Sequence, residues 1–395
     1  MIKTRIDALI EEYYPRWVEI RRELHRHPEL SFEEFKTKAF IEDFLKDYDL
    51  DYQEGLSGTA LAVTLKGGEG GVTVALRTDM DALPIAEEGG RPYGSLNPGV
   101  MHACGHDAHM TMALGTLMVL YALRDSFEGQ VKFLFQPAEE SEGGADTMVK
   151  EGVLKNPGVD YVLGGHVWPE LPVGTVGIKT GAVMSSPDVF DVVVQGKGGH
   201  VGKPYLTVDP VMVGAKIVTG LPSAVAKVLN PFEPVVISVT AFNSGDAYNI
   251  TPETCRLKGT VRTYDNEMRS VIEEKMTSVI RGICESYGAT FDFTYHRRFP
   301  PTINDEELTP RVMASAREAL GSSRVVTVKY PSMSAEDFSY FAMAVPGTYM
   351  YIGTRNEARG IVHELHHPAF DIDEELLKVG VRVYAGAILD LLARG

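Results

Sequence analysis

Cysteine is scarce in this chain. Three residues, Cys104, Cys255 and Cys284, occur among 395, too few and too scattered for a disulfide framework, and the expected compartment is the reducing cytoplasm. Basic residues are also in deficit, with 38 Lys and Arg against 54 Asp and Glu. The resulting charge of -16 repels polyanions, and without a stripe of clustered Lys and Arg no nucleic-acid partner is expected. The longest apolar run, 110–123, falls short of the ~20 residues a spanning helix needs, and the first seven residues contain no apolar core followed by a small-residue cleavage site. No membrane association is expected. Gly-x-Gly-x-x-Gly and the P-loop pattern do not occur, which leaves nucleotide binding without a motif. Gly-x-Ser-x-Gly and Ser-x-x-Lys are missing as well, so serine-hydrolase readings lack a signature.

What is present is ordinary globular material, 44% hydrophobic and 23% charged, long enough for two or three domains. Apolar residues at a 3.6-residue period predict a helix over 6–24, kinked at Pro15. Ser31-Phe32-Glu33-Glu34 reads as a capping box opening a second helix toward Leu45. Buried strands follow at 59–65 and 72–77, joined by a glycine turn at 67–71. A helix over 107–124, a strand over 130–135, a helix over 145–150 and a strand over 160–163 continue an α/β alternation. From 188 the rhythm changes to strand, helix, strand, strand, helix, strand (188–195, 210–229, 235–242, 256–263, 267–287, 289–295), the split ferredoxin-like order. After Pro300-Pro301 the alternation resumes with a helix at 309–320, a strand at 324–329, a helix at 335–343, a strand at 348–353 and a last helix at 373–393. The expected architecture is an α/β domain over 1–184 and 297–395, interrupted by an inserted α+β domain over 185–296.

In open α/β sheets ligands collect beyond the C-terminal ends of strands. Past the predicted strands lie Cys104, His106 and His109, then Glu139-Glu140, then His166, then a loop with His363, His366 and His367. Each alone is weakly informative, since free Cys is usually a small buried hydrophobe and adjacent acids usually form a solvated helix start. Together, thiolate, imidazole and carboxylate suit zinc or a neighbouring divalent transition ion rather than magnesium or calcium. Adjacent acids also divide labour, one ligating metal while the other takes a proton from water. A hydrolase is the expectation.

His363-Glu364-Leu365-His366-His367 matches His-Glu-x-x-His, a zinc signature that works only on a helix. Pro368 directly after the second His and Gly360 just upstream argue against a helix there.

Taken together, several blocks resemble the M20 metallopeptidase family, in its amidohydrolase branch of N-acyl-amino-acid, hippurate and auxin-conjugate hydrolases and related carboxypeptidases. They are Arg22-Glu23-Leu24-His25-Arg26-His27-Pro28-Glu29-Leu30-Ser31, Arg77-Thr78-Asp79-Met80-Asp81-Ala82-Leu83-Pro84, His102-Ala103-Cys104-Gly105-His106-Asp107, Gln136-Pro137-Ala138-Glu139-Glu140, Gly196-Lys197-Gly198-Gly199-His200 and His366-His367-Pro368-Ala369-Phe370. The resemblance spans nearly the whole chain. It implies a metal-binding catalytic domain with a mixed sheet flanked by helices, and an inserted ferredoxin-like lid and dimerisation domain. It implies two divalent ions per chain, zinc with cobalt or manganese as alternatives, held by Cys104, His106, Glu140, His166 and His366. Glu139 would be the general base, deprotonating a metal-bridging water that attacks the amide and then protonating the leaving amine. His366 rather than His367 follows from the family pattern His-x-Pro-x-Phe, although the residues themselves leave both open. Where the wider family has His-x-Asp, this chain has Arg77-Thr78-Asp79, so Asp79 and Asp81 are read as supporting residues. His200, Asn249 and Arg262 resemble the family's contacts to the substrate carboxylate and carbonyl, His200 acting across a homodimer or higher homo-oligomer.

The implied substrates are N-acyl amino acids or short peptides cut at the C-terminal bond, in either case next to a free α-carboxylate. Two alternatives remain at this stage: a non-catalytic dimeric metal- or ligand-binding protein of the same fold, and a zincin-type endopeptidase using His363, Glu364 and His367. The remaining histidines read blandly, with His25 and His27 closing the first helix and His102 and His109 supporting the Cys-x-His loop.

Overall fold

The computed structural model describes residues 2–53, 55–141, 143–230 and 232–394. The chain divides into two compact units, the first comprising Met1–Gly181, Ile303–Tyr330 and Asp337–Gly395, the second Ala182–Thr302 with Pro331–Glu336. No helix among the described residues is long and apolar enough to cross a membrane.

Unit 1 is built on an eight-stranded mixed sheet in the order Asp51–Tyr52, Leu61–Lys66, Glu128–Gln136, Gly68–Asp79, Tyr161–Pro172, Gly347–Arg355, Val176–Ile178 and Val325–Thr327. Leu61–Lys66 and Gly68–Asp79 follow each other directly in the chain yet do not pair. Glu128–Gln136 lies between them, antiparallel to the first and parallel to the second. The central strands are buried along their length, Val74, Ala75 and Leu76 all lying below 2% exposure, as expected for a sheet covered on both faces. The helix His106–Ala122 is buried on every side from His106 to Leu120, which marks a helix enclosed by other elements rather than one with a solvent face.

Two expectations need correction. First, Ser31 and Glu34 do not form a capping box. The second helix is Phe35–Leu45, and Glu34 makes no capping hydrogen bond. The Ser31 hydroxyl donates instead to Asp81 Oδ2 at 2.7 Å, and Glu34 accepts from Thr59 and Ala138. Phe32, between them, takes a left-handed backbone with φ 65°, which is incompatible with the box. Second, the strand expected over 160–163 runs on as Tyr161–Pro172, so His166 stands on the strand and not beyond its end. Gly164 and Gly165 are there for close approach: a Cβ would meet the Phe338 ring at 2.8 Å and the Tyr384 hydroxyl at 2.6 Å. Pro15 lies inside the first helix, which runs from Ile2 to Arg26.

Unit 2 holds an antiparallel sheet in the order Val235–Asn243, Thr254–Thr263, Asp188–Gln195 and Thr290–His296, with helices Pro210–Val228 and Met268–Tyr287. Burial alternates strictly along Asp188–Gln195, the pattern of a sheet packed on one face only. Phe190, Val192 and Val194 meet Ile217, Leu221, Ile272, Met276 and Ile280 in its core.

Candidate metal centre

Four stretches of unit 1 bring the candidate ligands together. Cys104 and His106 flank Gly105, whose φ of 82° turns the chain into the helix starting at His106. A Cβ at Gly105 would lie 2.5 Å from Val167 Cγ2, so only glycine lets this turn rest on the strand that carries His166. Glu139 and Glu140 follow the strand Glu128–Gln136 through Ala138, itself left-handed with φ 57°. His366 comes from the loop after Gly347–Arg355, also left-handed at φ 64°, its N–H donating to Ala103 O at 2.8 Å. Non-glycine residues rarely hold such a backbone, and they do so most often at functional sites.

Cys104 Sγ lies 3.3 Å from both His166 Nε2 and His366 Nε2. Glu140 Oε1 lies 3.3 Å from His366 Nε2 and 4.0 Å from His106 Nε2. Three overlapping triplets, Cys104–His106–His166, Cys104–Glu140–His366 and His106–Glu139–Glu140, each place a donor atom within 4.8 Å of the other two. Cys104 thus belongs to two ligand sets, as does Glu140.

These donors fit divalent cations. His106 Nε2 and Glu140 Oε1 are buried without a hydrogen-bond partner, and such atoms are costly unless something compensates them. Neighbouring tetrahedral ligands on zinc, at about 2.0–2.3 Å from the ion, stand roughly 3.3–3.6 Å apart, the spacing seen between Cys104 and the two imidazoles. Burial, with Glu140 and Glu139 beside it, pushes the Cys104 thiol well up, so a thiolate here calls for positive charge. Burial and the neighbouring His109 hold His166 well below the usual imidazole range, which keeps it in the neutral form that ligates.

Behind the donors stands a layer of polar support. His166 Nδ1 hydrogen-bonds to Val167 O at 2.7 Å, directing Nε2 toward Cys104. His106 Nδ1 faces Asp81 Oδ1 at 3.2 Å. Burial opposes charge on His106, but Asp79, Asp81 and Glu140 outweigh it and push the ring up to about 10. Asp81 Oδ2 also accepts the Glu140 N–H at 3.0 Å, so one carboxylate steadies two candidate ligands. Arg77, fully buried, donates to Gln136, Asp79 and Asp337 at 2.7–2.8 Å, tying together the ends of two strands that lead into the site.

Arg77 and Glu34 belong to this layer without a signal in the sequence, whereas His109 takes the supporting place expected of it, with Nδ1 2.7 Å from Asp79 Oδ1. His109 lies three residues after His106 and shares its helix face. His25 lies in the last turn of the first helix, as expected, and it is buried there with Nδ1 2.8 Å from Asp107 Oδ2, beside the Arg21–Asp107 ion pair at 2.8 Å.

Residues 363–367 form no helix, so the arrangement that His-Glu-x-x-His requires is not built. His363 and His367 stack at 4.3 Å, Glu364 pairs with Arg355, and His367 Nδ1 accepts the Ala369 N–H. His200, Asn249 and Arg262 belong to unit 2. There Gly199–His200 pairs with Ile250–Thr251, which brings His200 beside Asn249 through the Val201 N–H to Asn249 O bond of 3.2 Å. Both are exposed, whereas Arg262 is half-buried on Thr254–Thr263.

Residues 75–390 match the family model described as peptidase family M20/M25/M40. An N-acyl-L-amino acid amidohydrolase of Geobacillus stearothermophilus is 43% identical over 312 residues, 79% of this chain and 84% of that protein. The thermostable carboxypeptidase 1 of Saccharolobus solfataricus is 38% identical over 93% of each chain. Among solved structures, the YXEP protein of Bacillus subtilis, described as a dinuclear metal binding peptidase from the M20 family, superposes with a TM-score of 0.84 at 35% identity, covering 97% of this chain and 99% of that one.

Proposed function

The chain belongs to peptidase family M20/M25/M40, and we propose that it hydrolyses amide bonds next to a free α-carboxylate, in N-acyl amino acids or at the C-terminal bond of short peptides. The observation that carries this reading is Cys104 Sγ at 3.3 Å from both His166 Nε2 and His366 Nε2, with Glu139-Glu140 alongside. The names of the amidohydrolase and carboxypeptidase relatives describe cleavage of the same kind of bond.

Cys104, His106, Glu140, His166 and His366 would hold two divalent ions, zinc in the first instance. Ions bound there would supply Lewis acidity toward the scissile carbonyl and lower the pKa of water toward ~7. Glu139 takes the proton from the attacking water and delivers it to the leaving amine, so that one carboxylate serves as base and then as acid. In unit 2, Arg262 can fork onto the substrate α-carboxylate, and Asn249 and His200 can donate to the carbonyl oxygen. His200 acts across a homodimer in this reading.

Amine release from hippurate, N-acetyl amino acids, blocked dipeptides and a folded protein, measured after chelation and again after adding zinc, cobalt or manganese, tests the proposal. Metal-restored cleavage confined to substrates with a free α-carboxylate is expected. No turnover with any metal, in a chain that still binds about two ions, would replace the enzyme by a metal-binding protein of the same fold.

A further inference from the structure

Glu34 is fully buried, and its side chain makes no capping hydrogen bond to the helix Phe35–Leu45 that it precedes. Its Oε1 accepts the Ala138 N–H at 2.9 Å, and its Oε2 accepts the Thr59 hydroxyl at 2.6 Å. Ala138 is buried and left-handed, and it directly precedes Glu139. For an alanine this backbone is disfavoured by the clash of Cβ with the following carbonyl. The Ala138 carbonyl accepts from the Gly143 and Gly144 N–H groups at 3.3 Å, so the Glu34 bond is what holds its N–H side; without it Ala138 would relax toward right-handed angles, and that rotation would swing the Glu139 side chain. On the other side of Glu139, the Glu140 N–H is held by Asp81 Oδ2, which also accepts the Ser31 hydroxyl. The short segment from Ser31 to Glu34 therefore fastens the N–H groups of both neighbours of Glu139, that of Ala138 directly through Glu34 and that of Glu140 indirectly through Asp81.

We infer that Glu34 is a positioning residue, whose carboxylate keeps the Ala138 backbone left-handed and thereby sets the direction of Glu139 for proton transfer. The inference rests on Glu139 being the general base.

The test compares full-length, metal-loaded wild type with Glu34→Ala, Glu34→Gln, Ala138→Gly and the double variant Glu34→Ala/Ala138→Gly. The readouts are kcat and KM on an N-acetyl amino acid, bound metal, and amide exchange at Ala138. Glu34→Ala should lower kcat about 100-fold, as a displaced catalytic group does, with KM and metal content at wild-type levels. Glu34→Gln, which can accept from Ala138 and donate to Thr59, should keep kcat within about threefold. Glycine adopts left-handed angles without penalty, so Ala138→Gly alone should stay near wild type and the double variant should regain at least about tenfold over Glu34→Ala. Wild-type kcat in Glu34→Ala, or a folded double variant with no recovery, would overturn the inference. If Glu34→Ala does not fold, wild-type exchange decides: an Ala138 amide exchanging at the rate of free peptide means the bond to Glu34 is not there. Exchange needs no substrate, so a chain without amidohydrolase activity would refute the functional reading while leaving Glu34 to be judged by its own bond.

Discussion

The Val167 N–H donates to His109 Nε2 at 2.9 Å, while His109 Nδ1 faces Asp79 Oδ1 at 2.7 Å. An imidazole that accepts at Nε2 must carry its proton on Nδ1, so the pair of contacts sets the tautomer and uses both nitrogens. His109 is thereby a support for the strand next to His166 rather than a ligand. Replacing it with Ala should weaken metal binding by about 10–100-fold while leaving the number of ions at saturation unchanged. Competition against a graded series of chelators, followed by metal analysis, measures both. Loss of a whole equivalent of metal would make His109 a ligand.

Glu139 and Cys104 should separate cleanly. Without the base, Glu139→Ala should keep its metal and lose about 10²–10⁴-fold in turnover. Cys104→Ala should lose metal, because that sulfur lies 3.3 Å from two imidazoles in two different donor sets. Metal content by elemental analysis, read beside the rates, distinguishes the two, and equal metal loss in both variants would contradict the assigned roles.

The candidate donor pairs Cys104 with His106 and Glu139 with Glu140 were readable in the sequence because they sit in short runs, where residue type and proximity carry chemical meaning without knowledge of the fold, whereas His166 was expected past a strand end and stands within a strand. Cys104 and His106 are two apart, Glu139 and Glu140 adjacent. What the chain does with Ser31 and Glu34 was not readable. Locally they spell a helix cap, and only the arrival of Asp81, Thr59 and Ala138 from distant positions gives them better partners. Likewise Gly164-Gly165 reads as a strand end, yet its glycines make room for Phe338 and Tyr384, residues more than 170 positions away. The insertion of Glu128–Gln136 between two consecutive strands is a non-local pairing that periodicity does not encode.

Asp188 anchors unit 2. Its carboxylate accepts from Arg269 Nε and Nη2 at 2.8 and 2.6 Å, from the Tyr295 hydroxyl at 2.9 Å and from the Arg298 N–H at 3.0 Å. The carboxylate is wholly buried, so removing its cation leaves a charge in a poor solvent. Arg269→Met should cost roughly 3–5 kcal/mol, and adding Asp188→Asn in the same chain should recover part of that by removing the stranded charge. Urea unfolding followed by tryptophan-independent far-UV circular dichroism measures the difference, and a double variant no more stable than Arg269→Met would mean that the pair's charge is not what the single variant exposes.

Lys132 gives a pH signature with a definite sign. It is buried on the strand Glu128–Gln136, and burial lowers its pKa from 10.5 to about 8, although its Nζ donates to Asn156 O at 2.8 Å. Below about pH 8 both folded and unfolded chains carry the proton, and the folded state bears the full cost of the buried charge. Between about 8 and 10.5 the unfolded chain binds the proton that the folded chain has released, so this residue's contribution to stability rises with pH across that window. Above it the cost is gone. Lys132→Met removes the titrating group, and its stability difference from wild type should shrink as pH rises from 8 to 10.5. Chemical denaturation at several pH values in this range checks the trend, and a difference that is flat or grows with pH would contradict the depressed lysine.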